Sequence, residues 1–180
     1  EIRRVIKNNY GFDKLYAEGL SIKSALDPEY QVQALNALRL GIESYDKRHG
    51  WRGAILNTKL EKNWQEKLKK KKIDSSLGWK FAEILNVNES EIIFKIVNEE
   101  QQGKIKNINF KWAVKKTIYD SFKINDVIYV SKNSEKNWEL KQYPEVNGAI
   151  VAIDPYSGKV KALVGGFSFE SSEFNRTTQA

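Results

Sequence analysis

The sequence predicts an α+β fold in which a small antiparallel five-stranded barrel is inserted between a strand–helix segment and a β-hairpin. Two observations support this prediction. Five short strand patterns follow one another over residues 79–143 without long helices between them, and the flanking segments carry different patterns. The nearest named architecture is the OB-like barrel, the five-stranded fold that binds oligonucleotides and oligosaccharides.

The first residues of the chain have a helical pattern, with apolar residues at positions 2, 5 and 6. This pattern predicts a helix that ends near Gly11. Residues 20–26 then alternate with a period of two, which predicts a strand that includes Ile22.

A long helix is predicted directly after that strand. Asp27 supplies a capping carboxylate and Pro28 suits the first helical position, where its missing N–H costs nothing. From Val32 to Tyr45, apolar residues recur at intervals of three and four, and Gly50 is a stop signal. We therefore expect a helix with one buried face.

Residues 57–72 carry Leu60, Trp64 and Leu68 on one side of a charged background, which predicts a surface helix with a narrow apolar stripe. It ends in a lysine-rich run at residues 67–72. These cations could bind phosphates. The favoured interpretation is that they are solvated lysines at the helix C-terminus, where they face the negative end of the helix dipole.

Short alternating patterns and polar turns predict the barrel strands. Four aromatic residues among them could form a base-stacking platform, but they alternate with Ile and Val, so core packing is favoured. The predicted strands are 79–87, 91–98, 104–111, 126–132 and 137–143, and the aromatic residues are Trp79, Phe94, Phe110 and Trp112.

The last predicted element is a hairpin of strands 149–153 and 160–164. The first strand is apolar on both faces, which is typical of a strand covered on both sides. We expect the strand around Ile22 to be its partner in one sheet. The residues with turn or strand-end chemistry are Asp154, Pro155, Gly158, Gly165 and Gly166.

Composition narrows the chemistry. The chain has 180 residues, no Cys and no Met, and it begins inside a helical pattern, so we interpret it as a piece of a longer protein. A net charge of +7 makes nucleic acid, acidic lipid headgroups and an anionic cell-wall polymer candidate partners. Without cysteine, the lone His49 cannot form a metal site by itself, and we expect no metal and no cofactor.

Several segments resemble class A bifunctional penicillin-binding proteins, which polymerise and cross-link peptidoglycan. Residues 148–166 and 174–180 resemble the opening of the transpeptidase domain, and residues 20–48 resemble the segment before it. Residues 51–53 and 124–130 look like the barrel that some members carry between these pieces. The matching motif residues are Asp27, Pro28, Asp154, Pro155, Gly158, Gly165, Gly166, Phe174, Asn175, Arg176 and Gln179.

The resemblance implies three regions. Residues 1–53 would be a linker and the first strand–helix of the transpeptidase domain, residues 54–145 the OB-like inserted domain, and residues 146–180 the start of the transpeptidase domain. In this family the F-N-R-x-T-Q-A stretch runs toward the S-x-x-K nucleophile motif, and this chain ends before such a serine. We therefore expect no catalytic residue in it.

Two short patterns imitate catalytic motifs. Ser44 and Lys47 satisfy S-x-x-K, and residues 131–133 resemble S-x-N. The mechanism also needs a K-T-G strand, but the candidate at residues 116–118 lacks its glycine. The catalytic interpretation is therefore disfavoured.

The leading hypothesis is a noncatalytic interaction or regulatory region of a peptidoglycan synthase. The resemblance implies a parent anchored in the bacterial cytoplasmic membrane, with this region on the periplasmic side and a protein activator or cell-wall glycan as the partner of the barrel. The alternative is a basic barrel that binds single-stranded nucleic acid. It leaves the hairpin at residues 148–180 unexplained, so we do not favour a nucleic-acid partner.

Overall fold

The computed structural model describes residues 2–17 and 21–179. The fold is α+β with antiparallel sheets, and the chain divides into two compact units. The terminal unit comprises Glu1–Leu38, Gly148–Gly166 and Phe174–Ala180, and the barrel unit comprises Arg39–Asn147 and Phe167–Glu173. In chain order the elements are α1 (Ile2–Ala17), α2 (Pro28–Arg48), β1 (Leu56–Asn57), α3 (Trp64–Lys70), β2 (Lys80–Val87), β3 (Glu91–Ile96), β4 (Gln102–Lys106), α4 (Ile118–Ser121), β5 (Asp126–Lys132), β6 (Trp138–Lys141), β7 (Ile150–Ile153) and β8 (Val160–Val164).

The first helix continues past its predicted end. Gly11 takes a left-handed φ of 84° and kinks α1 there, but the chain becomes helical again up to Ala17. Glycine adopts this conformation without steric cost, so the stop signal in the sequence produces a break within the helix.

The predicted strand at residues 20–26 is wrong for the residues that the structure describes. Residues 21–26 form no strand and are exposed, with Ile22 at 45%, and Leu20 lies outside the described residues. In the terminal unit, β7 and β8 pair with each other and with no other described strand. Directly after this segment, the Asp27 N–H donates to the Lys161 carbonyl of β8 at 2.8 Å. This single backbone hydrogen bond does not add a strand to the hairpin.

The barrel unit contains one antiparallel sheet in the order β1-β5-β2-β3-β4, with β6 on β5. The predicted closed five-stranded barrel is therefore corrected to a six-stranded sheet in which β4 and β6 lie side by side without ladder pairing. We call this gap the seam. The indole of Trp138 packs against Gly103 in it, and Asn109 Nδ2 donates to the Trp138 carbonyl at 3.0 Å, so this acceptor of β6 bonds to a side chain.

Alternation along the strands directs one face of each into a single core. The predicted core positions Phe94 and Phe110 are fully buried, which confirms that they pack inside. The register shifts at Leu85 in β2, where the strand bulges and that side chain turns outward. The other fully or nearly buried members of the cluster are Trp51, Ala82, Ile84, Val87, Ile92, Ile96, Ile105, Ala113, Ile118, Phe122, Ile128, Val130 and Leu140.

The predicted helix at residues 57–72 is shorter than expected. Asn57 pairs with Asp126 in the β1–β5 ladder, and its Nδ2 donates to the Asp126 carboxylate at 2.8 Å. Because these bonds hold the start of the segment extended, α3 covers only Trp64–Lys70. No described helix has the length and apolar character needed to cross a membrane.

Candidate functional site

The strand-end and motif residues of the terminal unit meet at a turn beside Gly165. The backbone N–H of Arg176 donates to the Gly165 carbonyl at 3.2 Å. A Cβ at position 165 would lie 2.1 Å from Asn175 Oδ1 and 2.8 Å from Asn175 Cα. Only glycine fits this close approach without displacing the turn.

The turn is closed by bonds within the motif. Gln179 Oε1 accepts from the Asn175 N–H at 2.7 Å, while the Gln179 N–H donates to the Asn175 carbonyl at 2.9 Å. Asn175 Oδ1 also accepts from the Thr177 N–H at 3.1 Å. The Arg176 guanidinium lies 5.5 Å from the Phe174 ring, which is partly exposed. The predicted residues 174, 175, 176 and 179 are therefore brought together with Gly165, and Gly166 follows at the end of β8.

The hairpin turn follows its predicted chemistry. Asp154 accepts from the Tyr156 N–H at 3.1 Å and from the Ser157 hydroxyl. Pro155 is the residue between Asp154 and these two donors. Gly158 has a φ of 68° and donates to the Asp154 carbonyl at 2.8 Å. The Ser157 and Tyr156 bonds hold the pKa of Asp154 below its ordinary value.

Asp27 and Pro28 begin α2 as predicted. Asp27 Oδ1 accepts from the N–H groups of Glu29 at 2.9 Å and Tyr30 at 3.3 Å, which satisfies two free donors of the first turn. One turn further on, Gln31 forms two bonds to Leu163 of β8, donating to its carbonyl at 3.1 Å and accepting from its N–H at 2.9 Å. A side-chain amide thus completes the edge of β8 where a strand was expected.

Asp46, a buried carboxylate in the barrel unit, bonds to residues just before β1 and just after β6. Asp46 accepts two bonds from Arg52, at 2.8 and 3.0 Å, and one from Gln142 Nε2 at 2.8 Å. The N–H of Glu145 donates to the same carboxylate at 3.3 Å. Burial alone would raise the pKa of Asp46, but these hydrogen bonds and the Arg52 charge outweigh it and lower the pKa.

A second buried carboxylate, Asp74, binds the segment at residues 167–173. Ser168 Oγ donates to Asp74 at 2.7 Å, Arg39 Nη2 lies 3.4 Å away, and Arg39 Nε donates to the Phe167 carbonyl at 3.0 Å. Burial alone would raise the pKa of Asp74. Hydrogen bonds from Ser76 and Ser168, together with the Arg39 charge, outweigh burial, so the pKa of Asp74 is lowered. Neither carboxylate cluster could be recognised from the sequence, because Gln142 is 96 residues from Asp46 and Ser168 is 94 residues from Asp74.

The aromatic candidates divide between the two faces of the sheet. Phe94 and Phe110 lie in the core, whereas Trp79 is buried on the outer face against Tyr129 and Phe167. Trp112 is partly buried beside the core. These positions confirm packing for Trp79, Phe94 and Phe110 and leave no row of exposed rings among them.

The residues that imitate catalytic motifs do not assemble. No hydrogen bond joins Ser44 to Lys47 among the described residues, and the Lys47 ammonium lies 5.6 Å from the Trp112 ring. Burial, together with the nearby Lys141, lowers the pKa of Lys47. Ser131 Oγ donates to the neighbouring Lys132 carbonyl at 3.4 Å.

The lone histidine lies at the exposed end of α2. His49 Nδ1 is 2.9 Å from the Tyr45 carbonyl, and the His49 ring lies 4.3 Å from the Tyr45 ring. Within residues 2–17 and 21–179, no group of His, Cys, Asp and Glu side chains could hold a metal ion.

These features define a protein that contains an OB-like β-domain and, in the same chain, a hairpin-and-turn unit. Comparison with known families agrees: the penicillin-binding protein OB-like domain matches residues 51–146. The chain belongs to this family.

Individual proteins extend the likeness beyond the barrel. The chain is 38% identical over 179 residues to penicillin-binding protein 1A of Rickettsia typhi, covering 98% of this chain and 22% of that protein. Identity to penicillin-binding protein 1A of Escherichia coli is 29% over 199 residues, covering 99% of this chain and 23% of that protein. The chain therefore spans about a fifth of the length of these curated relatives.

A solved structure shares the fold. The crystal structure of penicillin-binding protein 1A from Haemophilus influenzae superposes with a TM-score of 0.77 at 24% identity, covering 99% of this chain and 27% of that chain. This likeness extends over both flanks of the barrel.

Proposed function

We propose that the chain is a noncatalytic region of a bifunctional peptidoglycan synthase, made of its OB-like domain and the start of its transpeptidase domain. The observation that carries the proposal is that one chain joins a family-matched OB-like domain at residues 51–146 to a hairpin and a closed motif turn at Gly165. Likeness to penicillin-binding protein 1A over almost the whole chain supports it.

In the proposed parent, glycan polymerisation and cross-linking at D-Ala-D-Ala are carried out by other regions. The parent would be anchored in the cytoplasmic membrane, with this region on the periplasmic side. The barrel unit would serve as an interaction module for a protein activator or for cell-wall glycan. A net charge of +7 suits an anionic wall or membrane surface.

The turn at Gly165 would be a positioning device. Asn175 and Gln179 bond to each other, and Arg176 bonds to the Gly165 carbonyl directly after β8. The segment that precedes the S-x-x-K serine in the proposed parent would therefore leave the hairpin in one direction. A nucleophile placed by a rigid segment is held in reactive geometry, which a loose loop would not achieve.

Labelled penicillin tests the proposal. The chain, incubated with the label and analysed by intact-mass spectrometry, is expected to gain no covalent adduct, whereas the full-length synthase is expected to gain one on a serine beyond Ala180. Ser44→Ala is the matched control, because Ser44 alone satisfies the S-x-x-K spacing in this chain. An adduct on the chain that disappears in Ser44→Ala would overturn the noncatalytic assignment.

A further inference from the structure

A small pocket opens at the seam between β4 and β6. It has a volume of about 160 Å³ and is lined by two strands and the turn before β6. Its lining residues are Lys104, Lys106, Asn109, Lys136, Asn137 and Trp138, and none of these is acidic. A pocket of this size is below the range of about 300–1,000 Å³ typical for drug-sized ligands, so it would enclose only part of a sugar, namely a charged substituent and one side of the ring.

Strand alternation places two of the ammonium groups on the same side of β4. Lys104 and Lys106 flank the fully buried Ile105, so both side chains lie on the outer face. Lys104 pairs with Glu91 at 3.2 Å, whereas Lys106 forms no ion pair with any described residue. At least one cation on this strand is therefore available to a ligand.

The third lysine is fixed by a tight turn. Asn133 Oδ1 accepts from the N–H groups of Glu135 at 3.0 Å and Asn137 at 2.9 Å, and the Lys136 N–H donates to the Asn133 carbonyl at 2.9 Å. Lys136 itself has a left-handed φ of 64°. Like Lys106, it pairs with no carboxylate in the described part of the chain.

Trp138 supplies an apolar wall with a cation beside it. Its ring meets Phe94 edge-on at 5.3 Å, which fixes its orientation, and the Lys132 ammonium lies 5.0 Å from its centroid. Asn109 and Asn137 also line the pocket. Asn109 Nδ2 donates to the Trp138 carbonyl at 3.0 Å and Asn137 Nδ2 donates to the Glu135 carboxylate at 3.1 Å, so the amide oxygens are the groups left to accept from sugar hydroxyls. An aromatic wall, two amide oxygens and the lysines of the lining together match a sugar that carries an anionic substituent.

We propose that the seam pocket binds an anionic saccharide, with Lys106 and Lys136 holding a carboxylate or phosphate and Trp138 facing the sugar ring. The site stands on the geometry of the pocket, and the choice of a cell-wall sugar acid as ligand rests on the proposed function. Single-stranded nucleic acid fits less well, because it needs a track of exposed rings and Phe94 and Phe110 are buried.

A matched pair of sugars provides the first test. N-acetylmuramic acid differs from N-acetylglucosamine by its lactyl carboxylate, so an NMR titration of the chain with each sugar isolates the contribution of the anion. We expect N-acetylmuramic acid to shift the Trp138 indole signal and to bind at least about tenfold more tightly than N-acetylglucosamine. Binding should weaken as salt is added.

Charge-removing variants locate the site. Lys106→Gln combined with Lys136→Gln should reduce affinity for N-acetylmuramic acid about tenfold or more. Lys71→Gln combined with Lys72→Gln removes the same charge from the exposed end of the α3 region and should leave affinity within about twofold. Unchanged circular dichroism of both variants would show that neither change unfolds the chain.

Three results would overturn the proposal. Equal binding of the two sugars would show that the anion does not contribute. Equal binding of inorganic phosphate and N-acetylmuramic acid would show that the pocket recognises an anion and not a saccharide. Tighter, steeply salt-dependent binding of single-stranded oligonucleotide at the same lysines would assign the pocket to nucleic acid. Because the penicillin test does not involve this pocket, a failure here leaves that result unaffected.

Discussion

The barrel unit and the terminal unit are stabilised by different means. In the barrel unit, Phe94 is fully buried within one contiguous core. In the terminal unit, the hairpin leaves Ile153 exposed at 56% and also exposes Val151 and Val160, although Ala162 and Val164 are buried. There, polar bonds such as those of Gln31 to Leu163 fix the backbone.

The barrel unit has a contiguous apolar core, whereas the hairpin of the terminal unit is only partly covered. Apolar burial is the dominant favourable term in folding, and within the described residues the barrel unit has much more of it. The sequence pattern of β7 predicts a strand covered on both faces, but Val151 and Ile153 are exposed among the described residues, so that prediction is wrong for this structure. We therefore expect mutations to affect the two units very differently.

The largest effect should come from the core. Phe94→Ala removes a fully buried ring, and we expect it to lower the free energy of unfolding by about 3–5 kcal/mol. Ile153→Ala, on the exposed face of β7, should change it by no more than about 0.5 kcal/mol. Urea unfolding followed by circular dichroism measures both. Similar losses in the two variants would contradict the difference between the units.

A smaller effect is expected at the Asp46 carboxylate. Asp46→Asn removes a buried charge that bonds to Arg52, and we expect a loss of about 2 kcal/mol, less than for a fully buried pair because Arg52 is partly exposed. Asp154→Asn, in the exposed hairpin turn, is the control and should cost less.

The same residue predicts a pH dependence. Because the folded-state pKa of Asp46 is lowered, its stabilisation is complete above the unfolded carboxyl pKa of about 3.9 and is lost as pH falls through the folded pKa. Urea midpoints measured between pH 7 and pH 3 should fall less steeply for Asp46→Asn than for the unmodified chain. Parallel curves would show that Asp46 contributes no such linkage.

The smallest effect on overall stability should come from Gly165→Ala, whose consequence is local. The added Cβ would collide with Asn175, so the turn should open and trypsin should cleave after Arg176 faster than in the unmodified chain. Gly41→Ala, at an open helical position, should leave that cleavage rate unchanged and raise stability by about 0.5–1 kcal/mol. Equal cleavage rates in all three proteins would show that position 165 does not hold the turn.

Local chemistry made part of the fold predictable. The hairpin turn has Asp154 and Gly158 at the positions where a tight turn needs a short acceptor and a positive φ. Strand alternation identified Phe94 of β3 as a core residue, since period two directs one face inward. Phe110 is also buried, but the predicted strand 104–111 ends at Lys106, and Phe110 enters the core from a short turn after β4.

Features that depend on distant partners were not predictable. Ser168 and Asp74 are 94 residues apart, and nothing in their local sequence indicates that they bond. Residues 21–26 have the alternation of a strand, but Leu163 of β8 bonds to the side chain of Gln31 where a strand was expected, so periodicity alone predicted the wrong element. The seam escaped prediction because it depends on how one indole fits against Gly103.

The carboxylate of Asp46 has a further consequence for how this protein can change. It contacts Arg52, which precedes β1, and Gln142 and Glu145, which follow β6. The chain therefore enters and leaves this region at neighbouring positions. Such geometry allows a segment to be deleted or replaced without displacing the rest of the backbone. We therefore expect that a short loop in place of residues 53–141 can reconnect the backbone there.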